Sequence, residues 1–242
     1  MKLPTSNAPV VVSGGGDTSQ FSIAVDAKAF RVLSDTLYQN KIGSTTRELC
    51  CNAKDSHVSA GKASEPFVVH IPDAYEPWFA VQDFGIGLSP SDIANVFTVY
   101  FQSTKDSSNE TVGAFGLGAK TPFSYTDQFT VTSVYNGERR IYSAFINETG
   151  MPSIVEMSAG KTTDRNGVEI KMSVKREDFL KFKTEVAQQL RFFKVKPIIQ
   201  NCPNFEWPAL EKDYVIENSD VTIAKSTGYG NNKFFIIRGE VS

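Results

Sequence analysis

The sequence predicts an α+β protein built as a two-layer sandwich, in which helices cover a mixed, mostly antiparallel sheet. Helical patterns come early in the chain, strand patterns joined by hairpin turns follow them, and a further amphipathic helix comes after those strands. A parallel βαβ protein would instead alternate strands and helices regularly. The order of elements therefore favours the sandwich.

The helices are predicted from apolar residues that recur at the helical period. We expect helices over residues 27–38, 44–60, 91–101, 116–125 and 177–193. Gly61 suits the C-terminal end of the second helix. Ser89 or Ser91 can cap the third helix, and Pro90 stands near its first position, where proline is favoured.

The strands are predicted from short apolar or alternating runs bounded by turn residues. They are expected over residues 21–25, 67–71, 78–82, 129–135, 140–146, 153–157 and 168–174, with later candidates near 215, 221–224 and 234–237. Asn136-Gly137 separates two of these runs and is the strongest short hairpin signal in the chain. The Gly-, Ser- and Thr-rich segment 1–19 is expected to be mobile.

Composition argues against several classes of protein. The chain has 242 residues and a formal net charge of −2, so no overall basic character points to nucleic acid. No apolar run approaches the ~20 residues that span a bilayer. The three cysteines make no disulfide framework and fit a reducing cytosol. The two histidines leave little basis for a His-based metal site or catalytic triad.

Three short motifs carry the chemistry. The first, RELCCNAKD at 47–55, places Glu48, Asn52 and Asp55 at i, i+4 and i+7, which share one face of a helix. A carboxylate on that face can activate a water for attack on a γ-phosphate, and an amide oxygen can be one ligand of Mg²⁺. A solvated polar helix face is the alternative meaning of this spacing.

The second motif, DFGIGLS at 83–89, follows a predicted strand. Asp83 can accept a hydrogen bond from the exocyclic amine of adenine, and Gly85 and Gly87 would let the base approach. The alternative is a tight turn in which the glycines supply special backbone angles. The order of motifs argues against a protein kinase, because no glycine-rich loop or HRD motif precedes this one.

The third motif, GAFGLGAKT at 113–121, is a glycine-rich turn that opens a predicted helix. An inserted residue breaks the phosphate-loop pattern GxxxxGK[ST], and the glycine spacing does not fit GxGxxG. With both patterns excluded, the motif still offers a set of backbone N–H groups at a helix N-terminus, which can bind an anion. A flexible loop that leads into a helix is the alternative.

Together and in this order, the motifs resemble those of the Bergerat-fold (GHKL) ATPases, the family of gyrase, Hsp90, histidine kinases and MutL. The resemblance implies an ATP-binding domain over 20–200. Glu48 would be the general base, Asn52 would contact ATP and Mg²⁺, and Asp55 would assist near the phosphates or ribose. Asp83 would read adenine beside Gly85 and Gly87. Residues 102–112 would form the ATP lid, and further ATP contacts would come from Ser103, Thr104, Lys105, Gly113, Phe115, Gly116, Leu117, Gly118 and Lys120.

The fourth motif of that family is altered. It is usually Gly-Thr at the start of a late strand, but here Gly167 is followed by Val168, so the hydroxyl that would help to hold adenine is missing or comes from another residue. The lysine that some branches take to the γ-phosphate from a transducer domain is expected beyond residue 242. Residues 201–242 would then be the truncated start of that following region.

Residues 21–57 also resemble the N-terminus of the rapid-lysis A (rIIA) proteins of T-even-type bacteriophages. This resemblance implies a phage protein in the cytoplasm of the infected bacterium, peripheral to the inner membrane. It also implies an rIIB-type partner and a role in lysis timing and prophage exclusion.

The sequence thus predicts a Mg²⁺-dependent ATP-binding domain with slow ATPase activity. ATP would act chiefly as a switch, through lid closure and a nucleotide-dependent homodimer. Two rivals stay open: a nucleotide-gated binding module without turnover, and a DNA-handling ATPase of the MutL or MORC kind. The basic residues within 171–196 fit a solvated helix face, with a weak patch for anionic membrane or nucleic acid as the alternative.

Overall fold

The computed structural model describes residues 39–97, 118–208, 214–217, 222–228 and 231–237, together with Ala27 and Phe30. Its main sheet has seven strands: β1 (Val68–His70), β2 (Trp78–Gln82), β3 (Gln128–Tyr135), β4 (Glu138–Ile146), β5 (Pro152–Lys161), β6 (Gly167–Ser173) and β7 (Ile198–Gln200). The strand order is β5-β4-β3-β6-β2-β1-β7. Only β1 and β7 pair in parallel within this sheet, so the sheet is mixed and mostly antiparallel, as predicted.

Two longer helices are described, α1 (Lys41–Ser59) and α2 (Phe179–Gln189). The first begins three residues earlier than expected, because the side chain of Asn40 accepts a hydrogen bond from the Gly43 N–H at 2.9 Å and caps the helix there. Gly61 follows its C-terminal end at a φ of +71°, as its position in the sequence predicts. The second helix ends at Gln189, four residues before the predicted end.

Both helices pack on one face of the main sheet and enclose the core. The rings of Phe79 on β2 and Phe182 on α2 lie with centroids 4.9 Å apart, and both side chains are fully buried. Alternate strand residues point to this face, as the period of a β-strand requires. The core between the layers includes Leu49, Cys50, Ala53, Val81, Val131, Ile170, Met172, Val186 and Leu190. The two-layer α+β sandwich is therefore confirmed.

The short helical segments differ from the uniform helices that were expected. The segment predicted at 91–101 starts as an α-helical turn, Pro90–Asp92, capped by Ser89, and continues as a π-helical turn, Ile93–Phe97. The segment predicted at 116–125 is described from residue 118 onward and is a 3-10 helix, Gly118–Ser124. Pro122 lies inside it and removes a backbone donor that an α-helix would use. A 3-10 turn, Arg176–Asp178, leads into α2.

The C-terminal strand candidates belong to a separate three-stranded sheet of order β10-β9-β8, formed by β8 (Tyr214–Glu217), β9 (Thr222–Gly228) and β10 (Asn231–Ile237). The expectations for residues 1–19, the strand 21–25 and the lid 102–112 lie outside the described residues, as does most of the predicted helix 27–38. No helix in the described part of the chain is long and apolar enough to cross a membrane.

Candidate nucleotide site

The first motif lies on α1. Its Glu48 and Asn52 side chains are half-buried, and Asp55 is buried. Burial raises the pKa of Glu48, and the nearby negative charge of Asp55 raises it further. Arg47, whose Nε lies 3.6 Å from the Glu48 carboxylate, opposes both effects. A carboxylate whose pKa is raised is a better proton acceptor than an exposed one.

The second motif holds the Asp83 carboxylate in place. Its Oδ1 accepts two hydrogen bonds of 2.9 Å, from the Ser56 hydroxyl on α1 and from the Gly85 N–H. The Asp83 N–H donates to the Val168 carbonyl on β6, also at 2.9 Å. Burial raises the pKa of this carboxyl, and the two hydrogen bonds to Oδ1 oppose that rise. Both bonds end on Oδ1, which leaves Oδ2 for a ligand.

The glycines of this loop are required by packing against protein backbone. A Cβ at Gly85 would collide with the backbone of Ser56, and a Cβ at Gly87 would collide with the Val134 carbonyl. Gly87 also has a φ of +76°, which L side chains rarely adopt. A Cβ at Gly167 would likewise collide with the Asp83 carbonyl. The loop is thereby wedged between α1 and strands β3 and β6.

A group of four residues holds Phe84, and we call it the Phe84 clamp: His57, Lys62 and Arg165, which contact Phe84, and Glu65, which contacts His57 and Arg165. The Phe84 N–H donates to His57 Nε2 at 2.7 Å, and Lys62 Nζ donates to the Phe84 carbonyl at 2.7 Å. The Arg165 guanidinium lies over the Phe84 ring, 4.1 Å from its centroid, and forms an ion pair of 3.3 Å with Glu65. The residue next to Asp83 is therefore fixed through its backbone and its ring.

The far end of the same loop is fixed by Ser133 on β3. The Ser133 hydroxyl accepts from the Leu88 N–H and donates to the Leu88 carbonyl, each at 2.8 Å. Ser133 is directly opposite Val168 in the β3–β6 register, so the two side chains share one face of the sheet. A hydroxyl thus stands next to the position where the expected threonine is replaced by valine.

The third motif is described only from Gly118, the first residue of the 3-10 helix. Lys120 is buried there, and burial lowers its pKa to about 8. The helix is tied to α1 by the Thr45 hydroxyl, which donates to the Thr121 carbonyl at 3.1 Å. The remaining predicted ATP contacts lie outside the described residues: Ser103, Thr104, Lys105, Gly113, Phe115, Gly116 and Leu117.

The described side chains also indicate what the protein can do in thiol chemistry and in metal binding. Burial raises the pKa of both adjacent thiols, that of Cys51 to about 12, so neither is a thiolate near neutral pH. Among the described residues, no group of three or more His, Cys, Asp or Glu side chains could hold a metal ion by itself. A cation at this site would therefore need oxygen ligands from a bound phosphate and from water as well as from the protein.

A cleft on the other side of the loop is a separate feature. It borders the Asp83-Phe84 peptide and is lined by Gln82, Thr132 and Glu169, which are aligned in the register of β2, β6 and β3. Gln82 follows Val81, whose side chain points to the helices, so this cleft opens on the opposite face of the sheet. It does not contain the α1 residues of the first motif.

The fold and these motifs define a nucleotide-binding domain of the ATPase class. The model of the family described as histidine kinase-, DNA gyrase B- and HSP90-like ATPase matches residues 44–168, just over half of the chain. The chain therefore belongs to this family, and ATP binding is the function that the family suggests. The matched range contains all three motifs.

Similarity to a curated protein is consistent with this family. The chaperone protein HtpG of Rickettsia canadensis (strain McKiel) is 27% identical to this chain over 174 residues. The match covers 62% of this chain but 27% of the relative, so the chain spans about a quarter of that protein's length.

Sequence reasoning missed the residues that hold the loop. All three of these residues, Ser56, His57 and Ser133, lie outside the three motifs. Ser56 stands one turn after Asn52 on α1, which was the available signal. His57 had no such signal, because its partners at Glu65 and Phe84 are fixed only by the fold.

Proposed function

We propose that this chain is a Mg²⁺-dependent ATP-binding domain that hydrolyses ATP slowly. The observation that carries the proposal is the Asp83 carboxylate. It is 6% exposed, it is oriented by Ser56 and Gly85 through one oxygen, and its other oxygen is left to accept the exocyclic amine of adenine. Guanine presents a carbonyl at that position, so this acceptor selects adenine over guanine.

Glu48 is the proposed general base. Its raised pKa reflects partial burial beside Asp55, and it projects from the helix face that also carries Asn52. It would take the proton from a water that attacks the γ-phosphate. Asp55, one turn beyond Asn52, would orient groups near the phosphates or ribose.

The residues on α1 fit a magnesium ion bound together with ATP. The Asn52 side chain supplies a neutral amide oxygen, the hard type of ligand that Mg²⁺ prefers, and the ion commonly keeps several waters. Mg²⁺ would offset the negative charge of the triphosphate. Asn52 would hold the ion in the bound state, while Lys120 and the glycine-rich turn that ends at Gly118 would hold the phosphates.

The wider setting follows from the rIIA resemblance. We propose that the protein is rIIA-like and acts in the cytoplasm of an infected bacterium, peripheral to the inner membrane. Lysis timing and prophage exclusion would be the output, with an rIIB-type partner. ATP would promote a homodimer, and the transducer-like region would begin after the ATP-binding domain. Nucleic acid is not a proposed partner.

Titration of the full chain with ATP and Mg²⁺ tests the proposal, with GTP as the competing nucleotide. We expect ATP to bind far more tightly than GTP. The Asp83→Asn variant should lose ~1.5–3 kcal/mol of ATP binding free energy, because the charge-assisted acceptor is removed. Asp127→Asn, at an exposed position, is the matched control and should bind as the wild type does. Unchanged ATP affinity in Asp83→Asn would refute the adenine assignment.

A nucleotide-gated module without turnover is the second candidate, and Val168 is the observation that favours it. Valine cannot supply the hydroxyl expected there. Analogue binding without phosphate release in a single-turnover assay would support this candidate. Turnover stimulated by DNA would instead favour an ATPase of the MutL or MORC kind.

A further inference from the structure

We propose that His57 positions the loop that reads adenine, through the hydrogen bond that its Nε2 accepts from the Phe84 N–H. The proposal rests on the ATP site proposed above. It adds to that site a positioning residue, one that touches neither nucleotide nor metal.

The hydrogen bonds of His57 define its tautomer. Nδ1 lies 2.9 Å from the Glu65 carbonyl, which can only accept, so Nδ1 carries the proton. Nε2 lies 2.7 Å from the Phe84 N–H, which can only donate, so Nε2 is the acceptor. The ring is 1% exposed, so water cannot replace either partner freely. The loop is thus bound to the neutral imidazole.

This bond acts on the residue that matters for adenine. Phe84 stands between Asp83 and Gly85, and the Gly85 N–H is one of the two donors that orient Asp83 Oδ1. A shift of the Phe84 peptide would move both ends of that hydrogen bond. Glu65 connects two members of the clamp, because its backbone carbonyl contacts His57 and its carboxylate forms an ion pair with Arg165.

The surroundings of the imidazole hold it in this orientation. The rings of Phe67 and Phe84 cover it, with centroids 6.5 and 6.3 Å away. On the loop side, Lys62 binds the Phe84 carbonyl, and Arg165 lies over the Phe84 ring and is paired with Glu65. Loss of the Nε2 acceptor would leave the Phe84 N–H without this partner, and the loop should then hold Asp83 less firmly.

Two amide substitutions separate the two hydrogen bonds of the imidazole. In His57→Gln the longer side chain can present an oxygen to the Phe84 N–H. In His57→Asn the shorter amide can donate to the Glu65 carbonyl but offers nothing to the Phe84 N–H. His70→Gln is the matched control, because His70 stacks on Trp78 and its Nδ1 contacts the Trp78 carbonyl instead of the loop.

The experiment measures the affinity of a non-hydrolysable ATP analogue with Mg²⁺ for the wild type and the three variants at one pH. His57→Gln should bind within a few-fold of the wild type, because the acceptor for the Phe84 N–H is kept. His57→Asn should bind about tenfold more weakly than His57→Gln, as expected for the loss of one hydrogen bond. His70→Gln should bind as the wild type does.

Hydrogen exchange of the Phe84 amide in the nucleotide-free proteins is the second measurement. Its protection should be lower in His57→Asn than in His57→Gln and in the wild type. Equal affinities and equal protection in the two His57 variants would overturn the proposal about His57 while leaving the Asp83 assignment standing. Wild-type protein that binds no nucleotide would overturn both proposals. Equal losses of stability in His57→Asn and His57→Gln with equal affinities would reduce His57 to a packing residue.

Discussion

At the scale of single residues, Glu48 and Asn52 divide the proposed reaction between turnover and binding. Both project from one face of α1, one helical turn apart. A base acts on the attacking water, whereas a metal ligand acts already in the ground state. Substitution of Glu48 should therefore change the rate of turnover, and substitution of Asn52 should change the affinity for Mg²⁺-ATP.

We expect Glu48→Ala to lower single-turnover hydrolysis by ~10²–10⁴-fold and to leave ATP affinity within a few-fold. Asn52→Ala should weaken the binding of Mg²⁺-ATP itself. Glu177→Ala, at an exposed position before α2, is the control for loss of a carboxylate. Equal turnover in wild type and Glu48→Ala would remove Glu48 as the base and would favour the nucleotide-gated module.

The Lys120 side chain should take up a proton when a triphosphate binds beside it. Burial lowers its pKa to about 8, so much of it is neutral at pH 8.5, where the phosphates are fully ionised. A triphosphate beside it would restore the ammonium, and binding should take up a proton. Calorimetry at pH 8.5 in two buffers of different ionisation enthalpy measures this uptake. Lys120→Met should lack the uptake, and wild type without it would place Lys120 away from the phosphates.

The lowered pKa of Lys120 also makes the stability of the folded state depend on pH. The unfolded chain holds its lysine proton up to about pH 10.5, whereas the folded chain loses the Lys120 proton near pH 8. Between these values the unfolded state binds more protons, so this group makes the folded state more stable as pH rises from about 8 to 10.5.

The loop that begins at Asp83 could be predicted from the sequence because an acid before two spaced glycines is a local pattern, and the contact of Asp83 with adenine stays a prediction. Ser56 and His57 could not be predicted in the same way. Their partners, Asp83 and Phe84, are each 27 residues further along the chain. Which helix residue meets which loop residue depends on how α1 packs on the sheet, and helical spacing does not contain that information.

At the scale of elements, the loop after β2 illustrates how glycine permits close packing. Gly87 and Gly61 both have positive φ values, +76° and +71°, but only Gly87 has backbone against it. Gly61→Ala should cost about 1–2 kcal/mol of unfolding free energy, the penalty for a left-handed residue. Gly87→Ala should cost clearly more than Gly61→Ala because its Cβ also collides with the Val134 carbonyl. Urea unfolding of both variants measures the difference, and equal losses would show that the loop can move.

Some elements follow from local signals and others do not. The hairpin of β3 and β4 turns at Asn136 and Gly137, with φ values of 51° and 78°, as the Asn-Gly pair predicts. Strand β7 was not predicted because its three residues carry no alternating pattern and its partner, β1, is distant in the chain. Parallel pairing of this kind depends on the whole fold.

At the scale of the whole molecule, the residues that follow the main sheet bear on where the proposed ATP-binding domain ends. Strand β7 extends to Gln200, and the chain then continues across the core, where Cys202, Phe205 and Trp207 pack against it. The Asn201 amide donates to the Ile71 carbonyl at 3.0 Å. The boundary at residue 200 stays a prediction from the sequence, and these contacts lead us to propose a boundary after Pro208 instead.

Two truncated chains test this boundary. A chain ending at Pro208 retains every described strand of the main sheet, together with Phe205 and Trp207, whose ring centroids are 4.8 Å apart. We expect its unfolding free energy to match that of the same domain in the full chain. A chain ending at Gln200 loses the two aromatic rings and the cation–π contact of Lys196 with Trp207, and it should be less stable by ~3–5 kcal/mol. Urea unfolding followed by circular dichroism compares them, and equal midpoints would return the boundary to residue 200.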